Sequence, residues 1–252
     1  MTVSAVVVSH GHAEDLAKLL PLLAEQVDEL IVVENVAGSP IDVPEGARVL
    51  TNERPRGLAA NANRGIAEAR GELVVVANPD TRPRPGAVAT LAEFARAHRR
   101  CGIAAPQLVY PDGRWQPSRR RFPTVGATFV RRTPLRTLFP PLERQRAHYL
   151  MDERPTEPAE TEWLLGAFLL LRRAMMAELG GFDAAFRLYG EDVDLCYRAA
   201  KAGWERWYVP AAVVEHVWSR ASDRRFVDRR TLWHWRGIAR FVRKHPERLR
   251  AL

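Results

Sequence analysis

Val3–Val8 is an almost unbroken run of β-branched residues, and Ala13–Ala24 follows it with Leu16, Leu19, Leu20 and Leu23 at helical spacing. A strand without polar alternation is buried on both faces. Followed at once by an amphipathic helix, it calls for a parallel sheet covered by helices on both sides. The pattern continues through strands Glu29–Val33 and Arg48–Thr51, helix Leu58–Ala69, strand Glu72–Ala77 and helix Gly86–Ala97. Such sheets bind ligands at the carboxyl ends of their strands. The residues to watch are therefore Ser9-His10, Glu34-Asn35, Asn52-Glu53 and Asn78-Pro79-Asp80.

After Cys101 the alternation breaks. Residues 111–160, with "PSRRRFP" and "FPPLERQRAHYLMDERPTEP", read as a long excursion rather than a second core. Order resumes with a strand over Glu162–Leu171, a short helix to Leu179, the turn "GGFD", a helix opened by "GEDVD" and a strand over Arg206–Val209. Arg229–Lys244 places Leu232, Trp235, Ala239 and Val242 on one helical face among many arginines. The expected organisation is one α/β domain over residues 1–222 and a basic amphipathic helical appendage over 223–252.

Two acidic sites stand out in a chain of formal charge +8. In "LYGEDVDLCYRAAKAG", Glu191, Asp192 and Asp194 crowd the first turn of a helix. The helix macrodipole favours acidic residues there, and Asp194 can pair with Arg198 one turn on. That accounts for one or two carboxylates, but Glu191 and Asp192 stand side by side and repel each other. In "NPDTRP", Pro79 keeps Asn78 extended and Asp80 follows a buried strand. An Asp there can open a turn or project into the ligand edge of the sheet.

The ordered blocks "VVVSHG", "VVENVAGS", "NERPRGLAANANRGI", "ANPDTRP", "WLLGAFLLLRRAMMAELGGFDAAFRLYGEDVDLCYRAAKAG" and "VPAAVVEH" resemble the inverting glycosyltransferases of family 2, which have the GT-A fold, and within them a bacterial rhamnosyltransferase-like branch. The resemblance implies a mostly parallel central sheet flanked by helices and transfer of a sugar from a nucleotide diphosphate to an acceptor hydroxyl. It implies Asp192 as catalytic base with Glu191 beside it, contacting the acceptor or raising the base's pKa by like-charge repulsion. Asp80 matches the metal-binding acidic motif and His216 a histidine that completes the metal or diphosphate site, with Mg²⁺ or Mn²⁺ as the cation. Asn78 stands where the motif usually has a first acidic residue. Ser9, Gly11, Glu34, Asn61, Asn63, Arg64, Asn78 and Gly166 are the implied substrate contacts. The implied donor is dTDP-L-rhamnose, with a UDP- or GDP-sugar as the alternative. The implied acceptor is a glycan or polyprenyl-diphosphate-linked sugar of the cell envelope.

The basic excess suits an anionic partner. "PSRRRFP" and "FVRRTPLR" could track a phosphate backbone, yet no nucleic-acid-binding motif accompanies them and the acidic cleft would repel phosphates lacking a metal. No nucleic acid is expected. A catalytically silent sugar-nucleotide-binding protein on the same fold is the other competing reading, and Asp80 together with Asp192 argues against it. The basic C-terminal segment is suited to an anionic bilayer surface. The apolar stretch "WLLGAFLLL" is too short to span one, and the two cysteines, Cys101 and Cys196, form no disulfide framework. The expected location is the cytoplasm, with peripheral contact at the inner face of the cell membrane.

Overall fold

The computed structural model describes residues 1–36, 38, 41–122, 153–217 and 229–250. Its main sheet has the order β3 (Arg48–Thr51), β2 (Glu29–Glu34), β1 (Val3–Ser9), β4 (Leu73–Ala77), β11 (Phe168–Arg172), β6 (Cys101–Val109), β12 (Glu205–His216), β5 (Thr81–Pro83). The short β7 (Trp115–Gln116) pairs with β6, and β9 (Ala159–Glu160) pairs with β12. A two-stranded ribbon joins β8 (Arg119–Arg120) to β10 (Trp163–Leu164).

The first four strands pair in parallel, as the β-then-α sequence pattern requires. The later part departs from it. β11 runs antiparallel between β4 and β6, and β5 runs antiparallel to β12, so the sheet is mixed. Residues 101–109, where the pattern breaks, form a nine-residue strand buried almost throughout. The stretch Glu162–Leu171 is two strands, β10 and β11, separated at Gly166. The strand expected at Arg206–Val209 extends to His216 through a bulge between Val209 and Val213. Of the 111–160 excursion, 123–152 lie outside the described residues.

Side-chain alternation along β1 divides the core. Val3, Ala5 and Val7 face α1 (Ala13–Ala24) and α3 (Ala87–Ala97), where Leu16, Leu19, Leu20 and Leu23 are fully buried. Each such leucine contributes about 1.5–3 kcal/mol relative to exposure. Val6 and Val8 face the opposite layer, which holds α2 (Leu58–Glu68), α4 (Arg173–Leu179) and α5 (Glu191–Lys201). α2 sits so close that a Cβ on Gly65 would lie 2.3 Å from Val6 Cγ1.

The C-terminal α6 (Arg229–Lys244) continues into a short 3₁₀ turn, Pro246–Arg250. It docks with Gly237 and Phe241 buried, followed by His245, rather than with the expected stripe of Leu232, Trp235, Ala239 and Val242. Ala239 is exposed and Trp235 and Val242 are half-buried, whereas the side chains of Arg229, Arg230 and Leu232 lie outside the described residues. Among the described residues no helix is long and apolar enough to cross a membrane.

Candidate active site

Register brings the suspect positions together. Ser9 pairs with Glu34, and Glu34 with Thr51, so β1, β2 and β3 end in one row. Ala77 pairs with both Val7 and Phe168, and the Asn78 N–H donates to Ala167 O at 2.8 Å, placing Asn78 beside Gly166. His216 pairs with Thr81. The edge that carries Ser9 and Glu34 thus also carries Asp80, Gly166 and His216.

At the β1–β3 end, Glu34 is buried. Its Oε1 accepts the Val36 N–H at 3.0 Å, and Oε2 is buried with no partner among the described residues. A buried carboxylate oxygen without a donor is costly, so this atom is available to a ligand N–H or hydroxyl. Ser9 is buried, with Oγ 3.4 Å from the His12 N–H, and Gly11 is exposed with φ of 77°. Asn35 and Asn52, which the strand ends mark as residues to watch, form a buried ladder behind them. Asn52 Nδ2 donates to Asn35 Oδ1 at 2.8 Å and to Asn61 Oδ1 at 2.6 Å, and Asn35 Oδ1 also accepts the Arg56 N–H.

The expected α2 contacts, Asn61, Asn63 and Arg64, all make internal hydrogen bonds. Asn61 is fully buried within the ladder. Asn63 donates from Nδ2 to Phe182 O at 2.7 Å and accepts the Phe182 N–H at 2.8 Å, so its amide clasps the backbone of the "GGFD" turn. Arg64 donates to Thr51 O at 2.9 Å and to Asn52 Oδ1. These side chains tie segments together, because each amide of Asn61 and Asn63 has already found an internal partner.

Across the edge, Asp80 Oδ2 lies 3.6 Å from His216 Nε2. The His216 ring is buried and its Nδ1 is 3.0 Å from Gln116 Oε1. In the tautomer that donates from Nδ1 to this amide oxygen, the Nε2 lone pair is turned toward Asp80. A carboxylate and an imidazole lone pair facing each other suit a divalent cation, and the mixed oxygen–nitrogen donor pair accommodates Mn²⁺ well. No group of three or more His, Cys, Asp or Glu that could hold a metal ion occurs among the described residues, so further ligands would come from diphosphate oxygens or water. Gln116, on β7, carries no signal in the sequence and emerges only from the hairpin.

Asp192 completes the site. Gly190, with φ of 96°, opens α5, and Asp192 Oδ2 accepts the Gly166 N–H at 3.0 Å while Oδ1 accepts the Val193 N–H at 2.8 Å. Burial raises the Asp192 pKa, opposed by these backbone donors. Glu191 is pushed up to about 8 by burial and then by the Asp192 charge, and its Oε2 is buried without a partner among the described residues. The repulsion expected to act on Asp192 therefore falls chiefly on Glu191. Side by side and buried, the two carboxyls resist ionising together, and Glu191, at about 8, holds its proton at neutral pH. Asp194 is fully buried. Burial alone would raise its pKa, but hydrogen bonds from Lys244, His245 and Arg198 hold it below the ordinary value, with Arg198 Nε at 2.7 Å.

Residues 23–234 match the family model described as "Glycosyltransferase like family 2". The chain is 32% identical over 246 residues to N-acetylglucosaminyl-diphospho-decaprenol L-rhamnosyltransferase of Mycobacterium tuberculosis, an overlap of 89% of this chain and 78% of that protein. Rhamnosyltransferase WbbL of Escherichia coli is 33% identical over 81 residues, 32% of this chain and 30% of that one. Among solved structures, GalNAc-T7 with UDP, GalNAc and Mn²⁺ superposes with a TM-score of 0.67 at 16% identity, over 96% of this chain and 48% of that one. The mannosyltransferase PcManGT from Pyrobaculum calidifontis, with GDP-Man and Mn²⁺, gives 0.57 at 18% identity, over 87% of this chain and 58% of that one. The chain thus spans only 48% and 58% of those two solved proteins, and at such identities the likeness concerns the fold. With the family model covering most of the chain and the sheet edge built as described, the chain belongs to glycosyltransferase family 2 and is a glycosyltransferase of the GT-A fold.

Proposed function

We propose that this enzyme transfers L-rhamnose, with inversion, from dTDP-L-rhamnose to a hydroxyl of a polyprenyl-diphosphate-linked sugar in cell-envelope polysaccharide synthesis. The observation that carries the inverting chemistry is Asp192, held by the Gly166 N–H at 3.0 Å on the ligand edge of the sheet. The rhamnosyl group and the acceptor class follow the name of the 32% identical rhamnosyltransferase, and the dTDP carrier follows the sequence resemblance alone.

Asp192, ionised, accepts the proton of the acceptor hydroxyl. The hydroxyl oxygen bonds to the anomeric carbon as that carbon's bond to the diphosphate oxygen breaks on the opposite face, the electron pair leaving with the diphosphate. Two backbone N–H groups orient the carboxylate, and burial keeps competing water from it. Glu191, protonated at neutral pH, offers its O–H to the acceptor. Glu34 Oε2 takes a donor of the base or sugar ring of the nucleotide, with Ser9 and Gly11 beside it. Asp80 and His216, with Asn78 near them, would hold Mg²⁺ or Mn²⁺, which when bound offsets the charge growing on the diphosphate.

The cell-membrane surface is the proposed place of work. Arg236 and Arg243 are exposed on α6, and basic residues near an anionic leaflet each add about 1 kcal/mol of attraction. Domain organisation is proposed as 1–222 for the catalytic unit with 223–252 carrying this surface.

Calorimetry with dTDP-L-rhamnose, UDP-sugars and GDP-sugars in Mn²⁺, followed by turnover on N-acetylglucosaminyl-diphospho-decaprenol, tests the reading. Tightest binding of dTDP-L-rhamnose and rhamnosyl transfer to the lipid support it. Preference for a UDP- or GDP-sugar, or transfer only to a soluble glycan, replaces the donor or acceptor accordingly.

A further inference from the structure

The segment between α4 and α5 delivers Glu191 and Asp192 to the site, and both of its flanks are pressed by backbone at glycine positions. On one side, a Cβ on Gly57 would lie 3.0 Å from Arg187 Cα and O, and the Leu58 N–H donates to Arg187 O at 3.0 Å. On the other, a Cβ on Gly237 of α6 would lie 2.5 Å from Tyr189 O. Tyr189 has φ of 71°, the only positive φ of a non-glycine residue among the described residues, and Gly190 follows at 96°. A tyrosine in the left-handed region is strained and persists only where its surroundings hold it. The contact at Gly237 falls on that very residue.

A second set of contacts joins the same two elements. Asp183, at the start of the segment, pairs with Arg240 Nη2 at 2.9 Å and Lys244 Nζ at 2.9 Å, both on α6. Lys244 Nζ also reaches Asp194 at 2.8 Å, and His245 Nε2 lies 2.9 Å from Asp194 Oδ1. α6 is therefore fastened to the segment before α5 and to the first turn of α5, on either side of Asp192.

We propose that Gly237 is a positioning residue for catalysis: by letting α6 approach the Tyr189 carbonyl it sets the Tyr189–Gly190 elbow, and with it the placement of Glu191 and Asp192 against Gly166. The inference rests on the reading of Asp192 as the base. A Cβ at position 237 displaces the elbow, and displacement of a reacting group by about 1 Å can cost about a hundredfold in rate.

The test compares Gly237→Ala, Asp183→Asn, Phe241→Leu and Asp192→Asn in the full chain, with dTDP-L-rhamnose and N-acetylglucosaminyl-diphospho-decaprenol. Amide hydrogen exchange of residues 187–194 is followed alongside and needs no substrate. Asp183→Asn loosens the clasp without adding bulk, so it reports even where Gly237→Ala folds poorly. Phe241→Leu perturbs the buried face of α6 at Tyr197 rather than at the elbow. The proposal expects kcat to fall at least about tenfold in Gly237→Ala and severalfold in Asp183→Asn, with donor KM unchanged, a shifted pH profile and faster exchange at 189–193. Phe241→Leu should lower Tm and leave kcat per folded molecule near wild type. Unchanged kcat and exchange in Gly237→Ala or in Asp183→Asn, or an equal kcat loss in Phe241→Leu, overturns the positioning role. Normal turnover of Asp192→Asn sinks the base assignment instead, and the two failures are thereby told apart.

Discussion

The Gly166 N–H donates to Asp192 Oδ2 at 3.0 Å, joining the gap between β10 and β11 to the first turn of α5. A Cβ on residue 166 would lie 3.2 Å from Asp192 Cβ, so glycine allows the approach that the hydrogen bond uses. Asp192→Asn keeps the shape but loses proton affinity. Its kcat should fall about 10²–10⁴-fold with nucleotide affinity retained, as turnover and calorimetry together would register. Gly166→Ala should lower kcat as well, through a displaced carboxylate rather than a missing one.

Glu191 supplies a pH signature. Its carboxyl is raised from 4.5 to about 8 in the folded protein. A group raised on folding contributes stability that is fully present below its unfolded value and lost as pH climbs through the folded one. Glu191→Gln should therefore melt like wild type near pH 4.5 and above it by pH 8, the gap widening between those limits. A gap that stays flat across this range would show that Glu191 ionises normally.

Asn63 separates a structural amide from a ligand contact. Asn63→Ala removes both hydrogen bonds to Phe182 and leaves backbone groups unsatisfied, a loss of about 1–3 kcal/mol in denaturant melts. Nucleotide affinity should be unchanged. A large drop in affinity with little loss of stability would return Asn63 to the ligand.

Gln116 orients the His216 ring through Nδ1. Gln116→Leu should weaken Mn²⁺-dependent nucleotide binding about 10–100-fold, the usual effect of removing a partner behind a metal-binding histidine. Asp80→Ala should abolish the difference between titrations in Mn²⁺ and in EDTA. If wild type binds nucleotide equally in both, the cation has no place in binding.

On the membrane side, Arg236 and Arg243 are exposed, whereas Arg240 is tied to Asp183. Replacing Arg236 and Arg243 with Gln should reduce sedimentation with anionic liposomes, most visibly at low salt. Arg240→Gln alone should act on stability and leave liposome binding nearly intact. Failure of wild type to sediment at low salt would remove α6 as a membrane contact.

Local pattern was enough to read the first half of the chain. Val3–Val8 and the leucines of α1 specify a two-sided parallel sheet because strand and helix periods differ and burial enforces each. The pair Asp194–Arg198 was legible for the same reason, since one helical turn brings them together. Acidic residues after buried strands marked the edge where Asp80 and Glu34 stand. Tertiary pairing decided the rest. Whether Cys101–Val109 is a strand, and that β11 enters antiparallel, depends on neighbours distant in sequence. α2 shows the same limit: Asn61 and Asn63 resemble ligand contacts, yet Asn52 and the Phe182 backbone satisfy them, and only the fold brings those partners near. The helical period of α6 was visible, but its buried face was set by Tyr189, Asp183 and Asp194. A backbone carbonyl and two carboxylates on other elements select Gly237, Lys244 and His245 through close approach and charge, which no hydrophobic periodicity encodes.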